Sequence, residues 1–239
     1  MKKILLLTLA FSITSYAQVQ QTLNKLPQLS SKLSSLGGVD IASGLKEALD
    51  KGIAKQVTKL TATDGFYKNE AVKILMPEEL QKVDATLRKF GLGSLADEGI
   101  KVLNRAAEDA VKEATPIFVS AVKNMSINDA KSILLGNESA ATTYLQSSTT
   151  TSLYSKFNPV IKESFSKVGA DQIWSNIITK YNSLPLVKKV NPDLTDYTTN
   201  QALAGVFKMI AVEEKTIRTD ISSRTSPLLK KVFAMQDKK

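Results

Sequence analysis

The stretch EEKTIRTDISSRTSP places two adjacent glutamates, Glu213 and Glu214, just ahead of Arg218, Arg224, Thr225 and Ser226. Carboxylates and guanidiniums this close can do three kinds of chemistry. The first is internal pairing. On a helical wheel at about 100° per residue, Leu203, Val206, Phe207, Ile210 and Ile217 form one apolar face, with Glu214 about 40° from Ile210 and Glu213 about 60° to its other side. At least one carboxylate then borders the core, where an unpartnered charge is destabilising. Arg218 follows Glu214 by four residues, the favourable order for a helical pair. Arg224 lies beyond the helix end and can fold back, and Asn104 is a further partner if its helix packs there. The expectation is that Glu214 pairs with Arg218 or Arg224 and the stretch is scaffolding.

The second chemistry is anion binding. Ser226 suits an N-cap and Pro227 a first helical residue. A helix start beside Arg224 and Thr225 offers N–H groups and positive charge to a phosphate or carboxylate. The third is acid–base catalysis, since hydrolases of wall polymers can work with carboxylates alone. Adjacent glutamates on one helix point about 100° apart, however, so a second acid from elsewhere is required.

The chain contains no histidine and no cysteine. That removes the commonest general base and metal ligand, every Ser-His-Asp or Cys-His arrangement, and disulfides. No calcium-type acidic loop is present, and Gly91, Gly93 and Gly99 do not fit a dinucleotide-binding spacing, so no metal and no cofactor is expected.

The elements that must position these residues read as helices. Ile41, Leu45, Leu49, Ile53, Val57 and Leu60 predict an amphipathic helix from Val39 to Leu60. Asp64-Gly65 turns the chain, and Pro77 is expected to open a helix that ends near Gly91. Ser94 to Asp97 has a capping-box pattern, ahead of a long alanine-rich seam from Ile100 to Ala121 that Pro116 should kink or divide at Thr115. A second capping pattern at Ser126 to Asp129 starts a short helix stopped by Gly136. The hydroxyl run SSTTTS at 147–152 reads as a corner between helices. Leu153 to Val168 forms an apolar face interrupted by Pro159, and Trp174, Ile177, Ile178 and Tyr181 form the next. Pro185 and Pro192 bound a connector. A long helix from about Leu194 to Thr219 and a last one from Ser226-Pro227 complete an all-α, bundle-like single domain over 39–239.

The opening, MKKILLLTLAFSITSYAQ, has two lysines, a short apolar run and small residues before Gln18. It predicts a signal peptide cleaved after Ala17, followed by a weakly ordered lead-in at 18–38. Without cysteine the exported chain cannot be a lipoprotein. No later run is long and apolar enough to span a bilayer. The mature chain is expected in the periplasm or medium, as a monomer. Losing Lys2 and Lys3 takes the formal charge from +9 to +7, which favours anionic partners: an anionic lipid, a cell-wall polymer or an acidic envelope protein before nucleic acid. Lys188, Lys189, Lys230, Lys231, Lys238 and Lys239 read as solvated charge, with membrane-surface contact as the alternative.

The segments DGFYKN (64–69), NRAAEDA (104–110), ATPIF (114–118), DAKSIL (129–134), ATTYL (141–145), IAVEEKTIR (210–218) and RTSPLLKKVF (224–233) occur in this order. Together they resemble a secreted bacterial family catalogued as domain of unknown function 4197. The resemblance implies an exported all-helical protein and supplies no catalytic residue. The expected function is therefore a non-enzymatic binding protein for an anionic or amphiphilic ligand or an envelope partner. The alternatives are a carboxylate-dependent wall hydrolase and a purely structural envelope protein.

Overall fold

A computed structural model of the chain describes residues 37–89, 91, 93–183, 189, 191 and 193–237. The expected signal peptide, the lead-in as far as 36, Pro185, Pro192, Lys188, Lys238 and Lys239 lie outside these residues, as do the side chains of Ile177 and Tyr181. Among the described residues all regular structure is helical. The order is α1 (Gly38–Thr61), α2 (Gln81–Lys89), α3 (Gly93–Val111), α4 (Ala114–Asn124), α5 (Ile127–Leu135), α6 (Ala140–Lys167), α7 (Ala170–Asn182), α8 (Thr195–Thr219) and α9 (Pro227–Phe233), with 3-10 turns at Glu78–Leu80, Ile221–Ser223 and Ala234–Gln236.

The centre is α6, about 42 Å long at the helical rise. Its buried residues Ala141, Leu145, Thr149, Leu153, Phe157, Ile161 and Phe165 recur every fourth position. A four-residue step advances about 40° beyond a full turn, so this seam winds around the helix instead of marking one face. Its neighbours accordingly surround it: α6 packs against α3, α4, α5, α7 and α8. Helix α8 runs antiparallel to it, since Glu214 bonds Thr142 while Asn158 bonds Thr199. Helix α1 closes the core with the expected residues, Ile41 to Leu60 all buried.

Four local expectations are corrected. The SSTTTS run is not a corner but the middle of α6. There Ser147, Ser148 and Thr150 donate their hydroxyls to carbonyls three or four residues back, and buried Thr149 does the same to Leu145 at 2.6 Å. Back-bonding satisfies these side chains inside a helix whose flanking apolar residues hold it in place. Pro159 does not interrupt α6 either; it sits within it, exposed. The α3/α4 division falls at Lys112–Glu113, not Thr115. Proline clashes with the carbonyl four residues back, here Lys112, and Pro116 then occupies the first turn of α4, where no N–H is needed. Finally, α3 starts at Gly93, so Ser94 lies inside its first turn, and Asp97 pairs instead with Arg88 at 2.6 Å. The Ser126–Asp129 capping box does form, with both reciprocal bonds present.

Candidate functional site

Glu214 projects from α8 onto the first turn of α6. Its carboxylate accepts the N–H of Ala141 at 2.9 Å, the N–H of Thr142 at 2.8 Å and the Thr142 hydroxyl at 2.8 Å. Ser139, at the N-cap of α6, makes no side-chain cap bond, so the helix is capped by a carboxylate from another helix. Arg218 donates to the same carboxylate through Nε at 3.0 Å and Nη2 at 2.8 Å. It also donates to the last carbonyls of α5, Ile133 at 2.9 Å and Leu134 at 3.4 Å, and to Gln236 at 3.1 Å. One ion pair thus sets its negative end against the positive end of α6 and its positive end against the negative end of α5, and each dipole favours that placement. The pair is buried, its side chains 7% and 6% exposed.

The other expected members of the cluster are placed elsewhere. Arg224 does not reach Glu214. It is 1% exposed and donates to the carbonyls of Ile217 and Arg218 at the end of α8 and, through two nitrogens, to Asp237 at 2.8 and 2.6 Å. Its guanidinium also lies over the Phe233 ring. This pairing holds the Asp237 carboxyl below its ordinary pKa, the Arg224 hydrogen bond being the main cause. No face of Arg224 remains for an external anion. Ser226 is the N-cap of α9 and accepts the Leu229 N–H, while Thr225 meets Lys51 at 3.5 Å. Glu213 turns to α1, accepting from Lys55 at 2.8 Å and Gln56 at 2.7 Å. Where α1, α8 and α9 meet, a void of about 30 Å³ lined by Gly52, Ile210, Glu213 and Glu214 is too small for more than a water.

Asn104 is likewise removed from the glutamates. Together with Arg105 and Glu108 on α3, it holds the segment joining α1 to α2. Asn104 exchanges two 2.8 Å bonds with the backbone of Ile74 and donates to Ile100 at 2.7 Å. Buried Glu108 accepts the N–H groups of Phe66 and Tyr67 and the guanidinium of Arg105, which also reaches Asp64. Asp64 takes the left-handed conformation at φ 68. Phe66 is fully buried against Gly205, where a methyl would come within 2.7 Å of its ring. The DGFYKN and NRAAEDA segments are therefore two sides of one clamp. Glu108 was absent from the residues singled out in the sequence, although its four-residue spacing from Asn104 was a usable signal.

A groove opens between α3, the end of α6 and the start of α7, with a volume of about 400 Å³. Val102, Ala106, Ala170 and Trp174 give it an apolar floor, Val168 stands 58% exposed at its edge, and Glu98, Lys101, Arg105, Asp109, Ser164 and Lys167 supply its polar lining. The indole of Trp174 lies against Gly99, where any Cβ would overlap Cζ2.

The molecule is thus an all-helical domain whose buried ion pairs join its own helices and whose groove combines an apolar floor with a charged rim. The chain belongs to the family described as "Protein of unknown function (DUF4197)", whose model matches residues 35–234. No curated protein and no solved structure matches it.

Proposed function

We propose that the mature chain works outside the cytoplasm as a binding protein, and that the α3–α6–α7 groove holds the acyl chain of a small amphiphile with its head at the charged rim. The groove carries this reading. Its volume lies near the low end of the range for small-molecule sites, about 300–1,000 Å³, which suits one acyl chain and not two. An apolar floor with a few polar groups at the mouth is the usual composition of such sites. The leader-like opening of the chain supports export. Among the described residues no helix is long and apolar enough to cross a membrane.

A carboxylate-dependent hydrolase fits less well. Glu213 and Glu214 are committed to bonds between helices. The groove's own acids, Glu98 and Asp109, stand eleven residues apart on α3, about 16 Å along the axis, against roughly 5–9.5 Å for paired glycosidase carboxylates. A purely structural envelope role would give the groove no occupant.

Trp174 is the single tryptophan, so its emission reports on the groove. Titration with laurate below its micellar concentration should give a saturable change, abolished by Val168→Glu at the exposed edge while thermal unfolding stays unaltered. Absence of a saturable response to laurate and to uncharged or zwitterionic lauroyl amphiphiles alike, or an equal response in Val168→Glu, would refute the reading.

A further inference from the structure

The groove proposed above carries charges that are not equivalent. Arg105 is committed to Glu108 at 2.6 Å and to Asp64. Lys167 pairs with Glu163 at 2.8 Å, and Asp109 with Lys112 at 2.7 Å and the Ser164 hydroxyl at 3.4 Å. Each of these charges is answered within the protein. Glu98 and Lys101 are different: both line the groove and are exposed, and neither has an ion-pair partner among the described residues. They stand three residues apart on α3, so their Cβ atoms share one side of the helix about 5–6 Å apart. That spacing permits a mutual pair, yet none forms.

The groove mouth therefore presents one negative and one positive charge, side by side and without ion-pair partners among the described residues, above the apolar floor formed by Val102, Ala106 and Trp174. A purely anionic head placed at Lys101 would also face Glu98, and a purely cationic head at Glu98 would face Lys101. In either case the unmatched charge opposes binding, and specificity arises as much from that repulsion as from the attraction. A head bearing both charges satisfies both residues. Resting on the groove as the binding site, we infer that its ligand is a single-chain zwitterionic lipid of the phosphoethanolamine type, with the ammonium against Glu98 and the phosphate against Lys101.

Three lauroyl probes with the same chain decide this through Trp174 emission: lysophosphatidylethanolamine, lysophosphatidylglycerol and laurate. The parent should bind the zwitterion at least tenfold more tightly than the glycerol lipid. Glu98→Gln should erase that preference, weakening the zwitterion and strengthening the glycerol lipid, and Lys101→Met should weaken both phospholipids alike. Free phosphoethanolamine, lacking the chain, should compete at least a hundredfold more weakly. Both substitutions are at exposed positions, and unchanged thermal unfolding confirms that each variant is folded. Equal binding of the two phospholipids by the parent, or a preference that survives Glu98→Gln, overturns the head-group assignment while leaving the groove intact. Competition by free phosphoethanolamine at parity overturns the lipid in favour of a soluble ligand. No saturable binding of any lauroyl probe overturns the groove and this inference together.

Discussion

Replacing Glu214 with alanine tests whether the ion pair is the fastening between α5, α6 and α8. The carboxylate accepts three bonds from the first turn of α6 and two from Arg218. Its loss strands the N–H groups of Ala141 and Thr142 and leaves a guanidinium 7% exposed without a counter-charge. Breaking a buried pair in this way costs about 3–5 kcal/mol. In a domain of this size each kcal/mol shifts the melting temperature by roughly 2–4 °C, so a fall of about 6–20 °C follows. Arg218→Ala should fall in the same range, because it strands Glu214 and uncaps the end of α5. The double variant should lose much less than the two together, since each single already breaks the shared unit. The control is Lys215–Glu138, at 3.2 Å with side chains about 60% exposed, whose loss should cost about 0–1 kcal/mol. Circular dichroism melts of the four variants complete the cycle. If Glu214→Ala melts within the range of the control, or the double variant is simply additive, the fastening does not exist.

Asn104→Ala should cost at least about 1–3 kcal/mol, the penalty for stranding buried backbone groups, here those of Ile74; unaltered denaturant unfolding would contradict the clamp. Gly99→Ala should expel the Trp174 indole, red-shifting its emission at a cost of about 1–3 kcal/mol, as for overpacked cores, and an unchanged spectrum would mean the indole does not lie there. The Arg224–Asp237 clamp has a pH signature. A carboxyl whose folded pKa is depressed contributes stability that is fully present above its ordinary value of 3.8 and is lost as pH falls through the folded value. Asp237→Asn should therefore melt lower than the parent throughout the range above about pH 4 and converge with it only in stronger acid. A gap that keeps its size in strong acid would refute the pairing.

The fold was legible because long helices with one apolar face repeat along the chain, as α1 shows residue by residue. The Glu214–Arg218 pair was legible for the same reason, both partners lying on one helix at a spacing that brings them together. What the glutamate caps was not legible, because Ala141 and Thr142 lie over seventy residues away in sequence. Arg224 folds back onto the end of α8, but its carboxylate partner was not legible for a related reason: Asp237 lies beyond the last helix and no periodicity connects them. The SSTTTS run misled because local propensity favours turns, whereas in α6 the packing of Leu145, Leu153 and Phe157 decides. The groove depends on how far α7 stands from α3, a distance set by Trp174 resting on Gly99. A glycine in the middle of a helix was the one trace of that contact in the sequence.

The central claim, that the groove carries an amphiphile, is tested most directly by mass spectrometry under native conditions on protein purified gently from its own cells, with Val168→Glu prepared in parallel. The parent should retain a single-chain lipid at one equivalent, released by organic extraction and missing from the variant. Parent protein that carries no lipid, or the same lipid in equal amount on Val168→Glu, would contradict the account.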